Sequence, residues 1–191
     1  MTDSSTGGFL QPADAPESLE EIENIIHDLI AGITGLPGCM VRAMWQRKAA
    51  LYPEQGIDWC AFAISEEGGN LAGGEIHFGE GEGHNIVAAH EPFSVLTVFY
   101  GDNSRIYAQK LRRGLSVAQN REYLYRRDIA FVEAGAAVHV PEVTGEEWID
   151  RWDVKLSFRR REAGKYPVLN IKKFNVPIHA GIGRTIKSRK G

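Results

Sequence analysis

The first 17 positions are polar, with serine, glycine, acids and two prolines and no apolar rhythm, and residues 1–17 are expected to form a flexible N-terminal arm. The rhythm begins after Ser18. Ile22, Ile25, Ile26, Leu29 and Ile30 recur three and four apart, which predicts an amphipathic helix with one buried face. Ser18 and Glu21 have the spacing of a capping box, and Gly32, Gly35, Pro37 and Gly38 end the pattern. Apolar, aromatic and β-branched residues then fill 39–45 and 59–65, with turn-forming Pro53 and Gly56 between them, which reads as a strand pair. Residues 66–85 hold seven glycines and five carboxylates. They are too polar to bury and too glycine-rich for a helix, so a long acidic Gly-rich loop or an irregular hairpin is expected.

In the second half, Phe93, Val95, Leu96, Val98 and Phe99 predict a strand covered on both faces. Gly101, Asp102 and Asn103 make a turn, Ser104 is read as an N-cap, and Ile106, Tyr107, Leu111, Leu115 and Ala118 form a second helical stripe. After a polar stretch, residues 129–140 read as a strand broken by Gly135 and stopped by Pro141. Trp152, Val154, Leu156 and Phe158 alternate with Arg151, Asp153, Lys155 and Ser157, the period of a half-buried strand. The sum is a single α+β domain over residues 18–162: a mixed, mainly antiparallel sheet with two main helices packed on it. Residues 163–191 contain seven bases and no acid among short apolar clusters. They are expected to form an extended basic arm that gains structure on a neighbouring subunit by strand addition.

Composition changes this picture little, except in charge. With 191 residues, 43% hydrophobic and 25% charged, the chain suits one globular domain. No apolar run approaches the about 18–20 residues of a membrane span, and the start has no basic-then-apolar leader, so a cytosolically made, soluble protein is expected. Cys39 and Cys60 lack redox or zinc spacing and are expected to be buried free thiols. The net charge of −3 conceals an asymmetry: residues 1–100 carry 15 acids against three bases, residues 101–191 carry 10 acids against 19 bases. Such a chain binds nucleic acid through its basic half, or meets copies of itself head to tail, unless folding mixes the charges.

Candidate chemistry is sparse. The glycines of 68–83 lack the Gly-Lys-Ser/Thr ending of a phosphate loop. Glu75, His77, Glu80, Glu82, His84 and His90 are close in sequence but match neither a zinc helix nor a calcium loop. Ser104 stands outside any nucleophile elbow. Glu146, Glu147, Asp150 and Asp153 have Arg151 among them, which suits ion pairing better than acid/base work. Arg112-Arg113, Arg126-Arg127 and Arg159 to Arg161 could grip phosphates, and Trp45, Trp59, Trp148 and Trp152 could stack bases. They are not interleaved on one motif, and core or interface anchoring is the better reading of the tryptophans. No catalytic, cofactor-binding or metal residue is assigned.

The order of pieces carries a resemblance. Tyr-Gly-Asp-Asn-Ser (100–104), Gln-Asn-Arg-Glu-Tyr-Leu (119–124), Val-Pro-Glu (140–142) and Trp-Ile-Asp-Arg-Trp-Asp-Val-Lys-Leu (148–156) follow one another as in the phage neck terminator family, which the chain resembles over about residues 18–175. The resemblance implies a compact α+β virion protein of the neck of long-tailed phages, made in the host cytoplasm. It implies a ring, typically six-fold, that caps the head-proximal end of the tail tube, stops tube polymerisation and joins the tail to a head-side connector. Partners would be further copies, the tube protein, the connector and the tail sheath, with DNA passing through the channel without sequence-specific binding. No cofactor is implied. On this reading Trp148, Arg151 and Asp153 fix the last loop and strand, and Asp102 and Asn103 shape the turn into the second helix. The alternatives are a head completion or adaptor protein of the portal vertex, which is normally more helical, and a nucleic-acid-binding accessory protein.

Overall fold

Helix α1 (Leu19–Thr34) starts where the pattern places it. The Ser18 hydroxyl accepts from the Glu21 amide at 3.3 Å, and the Glu21 carboxylate accepts from the Ser18 amide at 2.7 Å, so two amides that a helix leaves unpaired are satisfied reciprocally. Gly35 ends the helix at φ 78°, donating to the Ala31 carbonyl. A computed structural model of the chain describes residues 3–14, 18–46, 53–54, 56–67, 69, 71–144, 147–171, 179–180 and 184–185.

After a 3-10 turn (Gly38–Met40) come β1 (Val41–Ala43), β2 (Trp59–Glu67), β3 (Leu71–Phe78) and β4 (His84–Tyr100), then α2 (Ser104–Leu115) and α3 (Ala118–Tyr125). The chain continues through β5 (Ile129–His139), β6 (Glu142–Thr144), β7 (Glu147–Ile149) and β8 (Arg151–Tyr166) to two short strands, β9 (His179–Ala180) and β10 (Arg184–Thr185). The main sheet has six strands in the order β1-β2-β4-β8-β5, with β3 also on β4. All its pairs are antiparallel except β1 with β2. The expected strand pair thus forms, in parallel, with Val41 opposite Cys60. Its first member is short because residues 38–40 are spent on the 3-10 turn and Trp45 turns out at φ 58°.

The glycine-rich stretch is a hairpin arm rather than a long loop. Strands β2 and β3 follow one another down the same edge of β4, from Trp59 opposite Tyr100 to Phe78 opposite His84. The turn holds Gly81 and Gly83 at φ 62° and 94°, angles that favour glycine. On its other edge β4 pairs with β8 without a register break, from Asn85↔Tyr166 to Tyr100↔Arg151. At about 3.3 Å per residue this ribbon is about 50 Å long.

Alternate residues divide the sheet. One face carries Cys60, Phe62, Val95, Phe99, Val154, Leu156 and Phe158, all buried against Ile22, Ile26, Ile30, Leu111, Leu115 and Leu124 of the helices. Each large side chain so buried contributes about 1.5–3 kcal/mol. Gly114 lets α1 and α2 approach closely: a Cβ there would lie 2.3 Å from Ile33 Cγ2. The buried stripe of α2 is Ser104, Ala108, Leu111 and Leu115, while Ile106 is 53% exposed. Two expectations change here. Asn103 is the N-cap and Ser104 the first helical residue, and the polar stretch after Ala118 is a third helix that buries only Leu124.

Residues 3–14 lie along the far end of β8, where Ala13 donates to the Lys165 carbonyl at 2.7 Å and the Leu169 amide to the Ser4 hydroxyl at 2.8 Å. Strand β8 itself runs past Glu162 to Tyr166. Much of the expected C-terminal arm, including Lys172, Lys173, Lys187, Arg189, Lys190 and the apolar cluster 176–178, lies outside the described residues. No helix among those described is long and apolar enough to cross a membrane.

Candidate assembly surfaces

Away from the helices, Trp59, Tyr100 and Arg151 stand directly opposite one another on β2, β4 and β8. The Trp59 and Tyr100 rings stack at 4.5 Å, and the guanidinium groups of Arg42 and Arg151 each lie 5.9 Å from one of those rings. Arg151 grips Asp153 with both sides of its fork, Nε to Oδ1 and Nη2 to Oδ2, each 2.8 Å, and its Nη1 donates to Glu142 at 3.1 Å. These charges are three-quarters buried or nearly so (25% and 19% exposed for Arg151 and Asp153). The planar fork suits bidentate pairing. Asp153 first holds the Arg151 charge, and burial works against it. The row covers a second, smaller apolar cluster of Ala61, Val98 and Tyr100, against which Met44, Leu96 and Ile149 pack.

Trp148 is brought near this row only through its hairpin: it pairs with Val143 between β6 and β7, and its ring is 70% exposed. Asp102 and Asn103 sit just beyond this row, at the same end of β4, two and three residues after Tyr100. Asn103 donates twice to Asp58, backbone to Oδ1 at 2.8 Å and side-chain Nδ2 to Oδ2 at 2.9 Å. Gly101, at φ 100°, leaves no room for a Cβ, which would fall 2.6 Å from the Ile57 carbonyl. The turn into α2 is thus clamped by Asp58, which sequence reasoning missed: an acid just before an apolar strand reads as solvent-facing. Glu142 was visible only as part of a motif.

A third polar cluster also went unread. Asn170 donates to the carbonyls of Gly79 (2.9 Å) and Gly81 (3.1 Å), and its amide donates to that of Glu82 at 2.8 Å. His77 bridges Asn85 Oδ1 (2.6 Å) and Asn170 Oδ1 (2.8 Å), while Asn85 Nδ2 donates to Glu75. Both ring nitrogens face oxygens, and the bonds from Asn85 and then Asn170 raise the His77 pKa above its usual value. Of the acids and histidines of this stretch, Glu75 and His77 thus serve the hairpin tip and His84 stacks on Phe78 beside it, while His90 lies further along β4 opposite Leu71. Among the described residues no three His, Cys, Asp or Glu side chains come together to hold a metal.

The other sequence candidates disperse. Asp150 bonds His139 at 3.0 Å, Arg126 reaches Glu122 at 3.9 Å, and Arg127 covers the Tyr123 ring at 3.9 Å. Glu146 lies outside the described residues. Arg160 points to Glu91 (3.5 Å) and Glu162 (3.9 Å), on the face opposite its neighbours Arg159 and Arg161. Cys60 is buried, which pushes its thiol pKa far up, but Cys39 is exposed because it sits on the 3-10 turn rather than in a strand. Of the tryptophans, Trp152 packs against the core and Trp59 stacks on Tyr100, whereas Trp45 is 79% exposed.

What these residues offer is structural: charges tied to a rigid sheet, stacked rings, and open strand edges. A family model described as phage neck terminator protein matches residues 20–184. The chain belongs to that family of structural proteins of the phage neck. A search of curated proteins finds no match to it.

Proposed function

We propose that the subunit assembles with further copies into a closed ring, six-fold as expected of a terminator, which caps the head-proximal end of the tail tube. There it stops tube growth and joins the tail to the head-side connector. Family membership over residues 20–184 carries the reading. The fold supports it, because the strand order β1-β2-β4-β8-β5 places β1 at one end of the sheet and β5 at the other. A closed ring needs two different surfaces that fit each other, and the two ends of the sheet are two such different surfaces. Trp148, exposed on its hairpin, is an anchor for a neighbour, held in place by the Arg151–Glu142–Asp153 ties. The test is tube growth: added to polymerising tube protein, the neck protein should arrest elongation at far less than one copy per tube subunit. Unchanged tube lengths would refute capping.

One observation favours a second reading, contact with DNA. Arg159, Arg161 and Lys165 are all exposed on the face of β8 opposite the helices, at alternate positions. Cations so spaced meet phosphates without reading bases. Duplex binding that falls steeply with salt and is lost in Arg159→Glu/Arg161→Glu would support it. Binding unaffected by that variant would remove it.

A further inference from the structure

Along the β1 edge, the first turns of α1 and residues 41–46 enclose a groove of about 800 Å³. Its floor is apolar, with Val41 and Phe62 buried and Leu19 and Trp45 exposed at its rim. Glu20 and Glu23 line its α1 side, Arg42 and His27 line it too, and among the described residues neither carboxylate forms a salt bridge. Partial burial and then the neighbouring Glu20 raise the Glu23 pKa above the usual carboxylate range, as expected of an acid left without a counter-charge. Strand β1 ends the strand order, so among the described residues no strand lies on its outer side. An open edge, an apolar floor and a pair of carboxylates without a salt bridge among the described residues together suit an extended segment that is basic and apolar.

This chain contains such a segment. No acid follows Glu162, and residues 172–178 read Lys-Lys-Phe-Asn-Val-Pro-Ile. Its described anchor, Asn170, stands far from the groove of the same subunit. Asn170 is fixed to the β3–β4 turn by bonds to Gly79, Gly81 and Glu82, whereas β1 lies level with residues 97–99 of β4. Along the ribbon the two sites are about 40 Å apart at about 3.3 Å per residue, while eight extended residues span at most about 28 Å. We propose that residues 172–178 of one copy lie in the α1/β1 groove of the next, adding to the β1 edge with Lys172 and Lys173 against Glu20 and Glu23. The inference rests on the ring reading and gives it a direction: a tail on one subunit, a groove on the other.

The test uses a labelled synthetic peptide of residues 169–180, titrated with the full-length protein and followed by fluorescence anisotropy. Saturable binding is expected, weakened about tenfold or more in Glu20→Gln/Glu23→Gln, which spares the Glu21 cap. No binding, or equal binding to that variant with its thermal unfolding unchanged, would overturn the proposal. Direction is tested on whole chains. Glu20→Lys/Glu23→Lys and Lys172→Glu/Lys173→Glu should each fail to assemble alone and recover when mixed, since each then supplies the other's missing charge. Recovery only when both swaps share one chain would mean docking within a subunit and would overturn it. Peptide binding without tube arrest would defeat the capping reading alone. Arrest without peptide binding would defeat this inference alone.

Discussion

Arg151 makes three charge-assisted hydrogen bonds from one side chain. Its fork fills both oxygens of Asp153 and reaches Glu142 from a position only 25% exposed. Truncation leaves two half-buried carboxylates beside each other, and Arg151→Ala should cost about 1.5–3 kcal/mol. For a domain of this size that is a fall in Tm of about 3–12 °C. Arg151→Lys keeps the charge but not the fork and should lie between; equal melting of all three proteins would show the ties to be idle. Gly114 offers a second test, because its missing Cβ would meet Ile33 at 2.3 Å. Gly114→Ala should destabilise by about 1–3 kcal/mol despite alanine's better helix propensity. Adding Ile33→Ala should cost less than the two changes summed, a coupling that denaturant melts of the four proteins would measure.

The elements show which signals a sequence carries. Helix α1 and strand β8 were legible because their buried positions obey one period without interruption: Ile22 to Ile30 by threes and fours, Trp152 to Phe158 by twos. Gly135 marked the irregularity in β5, where the register shifts between Ala134 and Ala137. Strand β3 was legible only as one of two alternatives, an irregular hairpin beside a long loop, since its pairing with β4 leaves Ile76 60% exposed and its glycines suit a loop. Helix α3 was missed for a similar reason, having only Leu124 to bury. Of the site residues, Asp102, Asn103, Arg151 and Asp153 stood in recognisable motifs, but their partners Asp58 and Glu142 are set by strand register, which no local pattern specifies. The hairpin tip gives a pH prediction. The folded pKa of His77 is raised by Asn85 and Asn170, so its stabilisation is fully present below the ordinary histidine pKa and is lost as pH rises through the folded value. Amide exchange at β3 and the β3–β4 turn should therefore quicken between mildly acidic and mildly alkaline pH beyond the intrinsic base-catalysed change. His77→Ala should abolish that excess, and an excess that persists in the variant would exclude His77 as its source.

At the scale of the whole molecule, the fold sorts the charge of the sequence only in part. Helix α1 and strands β2 and β3 carry acids and no Lys or Arg, and β8 holds six bases against two acids, but β1 holds Arg42 and no acid and β5 holds Glu133 and no Lys or Arg. On the proposed reading, two different surfaces let like copies meet head to tail, and closure of that contact would give a ring without any two-fold axis between neighbours. Screening predicts that such rings loosen as salt rises. The measurement that bears most directly on the account is negative-stain imaging of the purified protein with tail tubes, alongside its solution mass by light scattering. The account predicts six-fold rings, free or seated at one end of each tube. A protein that stays monomeric, ignores the tube ends and binds DNA in a salt-dependent way would contradict it.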